Sequence, residues 1–92
     1  MSSPVLIYRT RTCPYCVAAA RFLRDVKKVP FEEVDLSSDP VARRALERRT
    51  GMTTVPQIFV GDTFVGGYDD MRALDRAGGL DPLLRAVLTP PS

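Results

Sequence analysis

A short aliphatic run, Pro4 to Arg9, is followed within a few residues by a helix start at Cys13-Pro14 and then by a second strand-like run, Phe31 to Leu36. That order constrains the chain more than any other feature. Two strands joined by a helix pair in parallel and cross over right-handedly, which lays the helix on one face of the sheet. Ala19, Phe22, Leu23 and Val26 are the apolar stripe of this helix, with Arg21, Arg24, Asp25, Lys27 and Lys28 opposite and Pro30 as its stop. In the second run Phe31, Glu33 and Asp35 alternate, imperfectly, with Glu32, Val34 and Leu36.

The rest of the chain supplies the partners this unit needs. Asp39-Pro40 pairs an N-cap acceptor with a proline at the first helical position. Val41, Ala42, Ala45 and Leu46 then form a stripe, and Gly51 suits the C-terminal cap. Gln57–Val60 and Thr63–Val65 flank Gly61-Asp62, a two-residue hairpin signal. After Gly66-Gly67, Asp69 is placed to cap a helix through Met71, Leu74 and Ala77, which Gly78-Gly79 stops. Asp81-Pro82 begins a last helix through Leu83, Leu84, Val87 and Leu88, and Thr89 to Ser92 reads as a frayed tail. The expected class is α/β, in the order β-α-β-α-β-β-α with a short further helix. Each helix stripe needs sheet to cover it, so a four-stranded mixed sheet carries helices on both faces. One domain over residues 1–92, with its core at about 4–88, fits the length.

Composition narrows the function by exclusion. Apolar residues make up 45% of the chain and charged residues 26%, ordinary values for a globular domain. The net charge of +2 gives no argument for a nucleic-acid partner. Eleven of the basic residues are arginines, and Arg43, Arg44, Arg48 and Arg49 cluster on one short stretch. That cluster reads as a solvated helix face, or as weak attraction for an anionic small molecule or acidic protein surface. No secretory signal is visible, and no apolar run approaches the ~18 residues of a membrane span. The expectation is a soluble cytoplasmic protein with no membrane partner, and in that reducing compartment two cysteines point to catalysis or metal binding before a structural staple.

The chemistry centres on Thr12-Cys13-Pro14-Tyr15-Cys16. Pro14 at the first helical position makes Cys13 the N-cap, facing unpaired backbone amides expected to be those of Tyr15 and Cys16, at the positive end of the helix dipole. Both effects favour thiolate over thiol, as in other Cys-x-x-Cys sites, and Arg9 and Arg11 stand close enough in sequence to add to them. Cys13 is the expected nucleophile. Cys16 falls one turn inward, within disulfide reach but shielded, which suits a resolving thiol. Three other readings compete. A zinc site needs about four ligands, while this chain has two cysteines and no histidine, so only a dimer would assemble a site. A structural disulfide would close a very small loop and constrain little. Two inert core cysteines would have no need to begin a helix after a strand.

Cys13-Pro14-Tyr15-Cys16 resembles the dithiol active site of class I glutaredoxins. So do Thr53-Thr54-Val55-Pro56-Gln57-Ile58-Phe59, Gly66-Gly67-Tyr68-Asp69-Asp70 and Gly78-Gly79-Leu80, in matching order and spacing over roughly residues 5 to 88. The bacterial glutaredoxin 3 type is the most similar. The resemblance implies a thioredoxin-like fold and a cis peptide bond before Pro56. It implies a glutathione-dependent thiol–disulfide oxidoreductase with Cys13 and Cys16 as its redox pair. Glutathione would serve as reducing co-substrate, with no tightly bound cofactor. Partners would be disulfide-bonded or glutathionylated proteins, and nothing demands more than a monomer.

The same resemblance implies a site for the tripeptide. Thr54, Val55 and Pro56 would offer free backbone groups at Val55 to the cysteine residue of glutathione. Gly67, Tyr68, Asp69 and Asp70 would hold its γ-glutamyl end, with helix amides on the α-carboxylate and Asp70 facing the ammonium. Asp69 and Asp70 also read simply as helix caps. Tyr15 would pack beside the ligand or cover the helix start. Two positions depart from the pattern. Thr10 stands where many relatives have a lysine for the glycyl carboxylate, leaving Arg43, helped by Arg11, as candidate cations. Tyr68 stands where many relatives carry an additional cysteine. Two alternatives accompany this reading: a dimer ligating a [2Fe–2S] cluster through Cys13 and glutathione, and a reductant that depends on thioredoxin reductase. Pro14 weighs against the first, because the usual cluster carriers have glycine there. The Gly67–Asp70 segment weighs against the second.

Overall fold

The N-terminal strand–helix–strand unit forms as its sequence predicts. In the computed structural model, which describes residues 4–88, β1 (Val5–Arg9) and β2 (Glu32–Asp35) pair in parallel, with Tyr8 opposite Val34. β3 (Gln57–Val60) runs antiparallel on the other side of β1, with Ile7 opposite Ile58. β4 (Thr63–Gly66) completes the hairpin around Gly61-Asp62, and the sheet order is β2-β1-β3-β4. The expected tail, residues 89–92, lies outside the described residues.

The two sheet faces are covered unequally. Val5 and Ile7 of β1 and Ile58 and Val60 of β3 point to one side and are essentially inaccessible. Three helices cover them: α1 (Pro14–Arg21), α3 (Tyr68–Arg76) and α4 (Leu80–Leu88), which contribute Ala19, Met71, Leu80 and Leu84. Full burial of a side chain the size of Ile7 or Leu80 stabilises the fold by about 1.5–3 kcal/mol. The opposite side carries Leu6, Tyr8, Val34, Phe59 and Phe64, and among the described residues α2 (Pro40–Thr50) is the one helix over it, through Leu46 and Ala42. Alternation along β1 therefore sends one set of residues into a closed core and the other into a half-open one.

Several expectations about the helices need correction. Beyond Arg21 the backbone widens into a π-helical turn, Phe22–Val26. Each residue of a wider turn advances less around the axis than the 3.6-residue period assumes, so the apolar stripe slips out of phase. Phe22 and Leu23 stay buried, but Val26 is 62% exposed. Lys27, expected on the solvent face, instead turns inward. Its Nζ lies 2.5 Å from Asp75 and 2.9 Å from Asp81, tying this turn to α3 and α4. The chain leaves the helix at Lys28, whose φ is 55°, ahead of Pro30. In α2, Val41 is also outside: it is 78% exposed, and Leu46 carries the buried contact. The α2 ends form as read, with Asp39 accepting the Ala42 N–H at 3.0 Å and Gly51 taking a left-handed φ of 78°. In α3 the N-cap is Gly67 rather than Asp69, because Asp70 reaches back one turn to accept the Gly67 N–H at 2.9 Å. The last helix begins at Leu80, ahead of the Asp81-Pro82 pair.

Candidate active site

Cys13 sits where β1 hands over to α1, with extended backbone (φ −96°, ψ 110°) and Pro14 behind it. Its Sγ accepts the Cys16 N–H at 3.2 Å. Of the two amides expected there, Cys16 supplies the contact. As a thiol, Cys13 donates to the Val55 carbonyl at 3.6 Å, which brings the residue before Pro56 against the sulfur. The Val55–Pro56 peptide is cis, as the resemblance implied. A sulfur at this position meets a donor amide and the positive end of α1, both of which stabilise a negative charge.

The two thiols differ sharply in surroundings. Both are free; Cys13 is partly exposed, while Cys16 has no accessible surface. Burial pushes the Cys16 thiol up to about 12 from an ordinary 9.0, and its hydrogen bond with Cys13 pushes in the same direction. Cys16 is thus held neutral, one helical turn behind a sulfur that solvent can reach.

A cleft of about 310 Å³ opens beside Cys13. It brings together the residues expected for the peptide ligand: Thr54, Val55 and Pro56 on one side, Gly67, Tyr68, Asp69 and Asp70 on the other, and Tyr15 at the rim. The Tyr15 and Tyr68 rings lie 6.0 Å apart at a tilt of 36°. No cationic side chain lines this cleft among the described residues; its formal charges are the carboxylates of Asp69 and Asp70 at the start of α3.

The loop carrying Val55 is anchored from beneath. Gln57 is 1% exposed, yet its side chain is satisfied: its amide donates to the carbonyls of Met52 (2.9 Å) and Thr54 (3.1 Å), and its oxygen accepts from Thr50 (2.8 Å). A buried amide with its polar atoms paired rigidifies the segment it holds. Arg43 adds a bond from outside, donating to the Thr53 carbonyl at 3.2 Å.

The arginines named in the sequence go elsewhere. Arg9 pairs with Glu33, and Arg11 donates to Ser38 at 2.8 Å with Asp35 3.5 Å away. Arg43 also approaches Glu47 at 3.4 Å, and it lines a separate polar groove of about 460 Å³ with Thr10, Thr12, Ser37 and Pro40. Two site features were missed in the sequence. Met52 joins the cleft lining from a loop with no periodicity to flag it. Arg72 braces Tyr68 from behind by donating to its hydroxyl at 2.8 Å, a contact whose only advance signal is the i,i+4 spacing on α3.

A four-stranded mixed sheet flanked by helices, with two thiols at the first helix start, is the thioredoxin-like architecture of thiol–disulfide oxidoreductases. The glutaredoxin family model matches residues 5–65. A glutaredoxin of Pseudomonas aeruginosa is 52% identical over 83 residues, covering 90% of this chain and 98% of that protein. Glutaredoxin 3 of Escherichia coli is 47% identical over 81 residues, covering 88% and 96% respectively. Among solved structures, the buckwheat glutaredoxin–glutathione complex superposes with a TM-score of 0.83 at 28% identity, covering 91% of this chain and 78% of that one. The chain belongs to the glutaredoxin family, and thiol–disulfide oxidoreduction is its activity.

Proposed function

We propose that this protein is a glutathione-dependent reductase of protein disulfides and glutathione mixed disulfides, with Cys13 as nucleophile and Cys16 as resolving thiol. The observation that carries the reading is the solvent-reachable Cys13 sulfur, bonded to the Cys16 amide and lying against the Val55 carbonyl, at the edge of the cleft that ends on Asp69 and Asp70. The buckwheat relative, solved as a complex with glutathione, supports the choice of thiol.

With a glutathionylated substrate, the Cys13 thiolate attacks the glutathione sulfur. A Cys13–glutathione bond forms as the substrate–glutathione bond breaks, and the substrate leaves as a thiolate that takes a proton from water. A second glutathione thiolate then attacks the bound glutathione sulfur. Glutathione disulfide departs, and the electron pair of the broken bond stays on Cys13. With a protein disulfide as substrate, the Cys13 thiolate attacks one sulfur and frees the other as a thiolate. Cys16, giving its proton to that thiolate or to water, then attacks the Cys13 sulfur, and the substrate leaves as a dithiol. Two glutathiones then reduce the resulting Cys13–Cys16 bond. Because a second glutathione does the resolving, the first route does not need Cys16.

In the cleft, Val55 backbone groups pair with the cysteine residue of glutathione as an added strand would. The α3 amides take the γ-glutamyl carboxylate, and Asp70 faces the ammonium. Arg43, which reaches the Thr53 carbonyl two residues before Val55, is the candidate cation for the glycyl end, and a reducing compartment such as the cytoplasm supplies the glutathione. The test is a glutathione-coupled assay on a glutathionylated peptide with wild type, Cys13→Ser and Cys16→Ser. Cys13→Ser falls to background while Cys16→Ser keeps most of the rate. Equal losses in the two variants would contradict the assigned roles, and no glutathione-driven turnover in wild type would remove the proposal.

A further inference from the structure

Arg72 has no place in the chemistry above, yet it occupies an unusual position. Its guanidinium lies 4.7 Å from the centroid of the Phe22 ring, and Phe22 is 7% exposed in the core. The same group is 5.8 Å from the Tyr68 ring and donates from Nη1 to the Tyr68 hydroxyl at 2.8 Å. Its Nε is buried and makes no hydrogen bond among the described residues, and no carboxylate pairs with it there. A half-buried guanidinium without a carboxylate is costly to desolvate. Two aromatic faces and one phenol oxygen offset part of that cost. A leucine or methionine would cover Phe22 without it, so packing alone does not account for arginine here.

What the guanidinium reaches is the cleft wall. Tyr68 lines the cleft, and its ring stacks at a tilt against Tyr15, two residues after Cys13. Phe22, Arg72, Tyr68 and Tyr15 therefore form a continuous line from the core to the rim beside the nucleophile. Tyr15 is 60% exposed, and the Tyr68 ring packs against it. The Tyr68 hydroxyl is taken up by Arg72, so what Tyr68 brings to the Tyr15 pair is its ring.

We propose that Arg72 is a positioning residue that fixes Tyr68, and through it Tyr15, as one rigid aromatic wall on which the incoming glutathione packs. This rests on the glutathione reading of the cleft and adds to it a determinant of thiol selection outside the cleft. Arg72 touches neither the ligand nor the reacting sulfurs. Its effect is on how well glutathione is received, not on the reactivity of the Cys13–Cys16 pair.

The test varies glutathione in turnover of a small disulfide, bis(2-hydroxyethyl) disulfide, with wild type, Arg72→Leu, Tyr68→Phe and the double variant. Loss of a held aromatic contact raises KM for glutathione by about threefold to tenfold in each single variant. The double variant is no worse than the worse single one, since both break the same link. Reduction of the Cys13–Cys16 disulfide by dithiothreitol, which needs no peptide cleft, stays at the wild-type rate in Arg72→Leu. Near-ultraviolet circular dichroism, which in a chain without tryptophan reports three tyrosines and four phenylalanines, loses intensity in Arg72→Leu. Tyr68→Phe deletes a single oxygen, so it reads the same link even if Arg72→Leu proves unstable. A wild-type KM in Tyr68→Phe, or additive effects in the double variant, overturns the role of Arg72 while leaving the glutathione reading intact. Absence of glutathione-driven turnover in wild type overturns both.

Discussion

Gly66→Ala joins fold and site in one perturbation. Gly66 closes β4 with φ of +113°, a region that side chains rarely adopt. A Cβ built there falls 2.5 Å from Asp70 Oδ2 and 2.9 Å from Asp70 Cβ and Cγ. The backbone cost of a non-glycine residue in such a conformation is about 1–3 kcal/mol. The overlap is relieved only by moving Asp70, whose Oδ2 accepts the Gly67 N–H that starts α3. Losing that cap adds about 1 kcal/mol. The sum is a loss of about 2–4 kcal/mol, a large share of the stability of a domain this size. Asp70→Ala alone should cost only the cap, about 1 kcal/mol.

Guanidinium unfolding followed by far-ultraviolet circular dichroism measures these losses. Because both changes remove the same hydrogen bond, Gly66→Ala with Asp70→Ala should cost less than the two added separately, by about 1 kcal/mol. The same displacement takes a carboxylate from the cleft, so KM for glutathione rises in Gly66→Ala as it does in Asp70→Ala. A Gly66→Ala protein within about 0.5 kcal/mol of wild type, the range of an ordinary surface change, refutes the strain argument. A strictly additive double variant refutes the displacement of Asp70.

The buried Cys16 thiol predicts a dependence on alkaline pH. Its pKa is raised in the folded state, so the stability it contributes is complete below the ordinary 9.0 and is lost as pH rises towards about 12. Above pH 9 the reduced protein should lose stability progressively on this account, a slope missing from Cys16→Ser, and equal slopes in the two proteins would contradict the burial argument. Lys27 is raised by Asp75 and Asp81, so its contribution is present below its ordinary 10.5 and lost above it, and that later loss should persist in Cys16→Ser. Asp39→Ala removes the α2 cap and should cost about 1 kcal/mol in unfolding experiments without changing turnover; no loss would mean that the Ala42 amide finds another partner.

The sequence by itself determined what depends on neighbours along the chain. The strand–helix–strand order dictated parallel pairing of β1 and β2, and Gly61-Asp62 dictated the β3–β4 hairpin, because both follow from local geometry and connection length. The N-cap placement of Cys13 was legible for the same reason: proline at the next position fixes where the helix begins. Tertiary structure alone decided the rest. Val26 points outward and Lys27 inward because a π-helical turn, stabilised by acidic partners on two later helices, overrode the helical period. Gly67 displaced Asp69 as the α3 cap because Asp70 had room to reach back only where Gly66 has no side chain. The meeting of Cys13 with Val55, and of Tyr15 with an Arg72-braced Tyr68, joins residues whose contacts exist only after the sheet has brought α1, the Val55 loop and α3 to one edge. Periodicity reports which way a residue faces within its own element; which group it then meets is set by packing between elements.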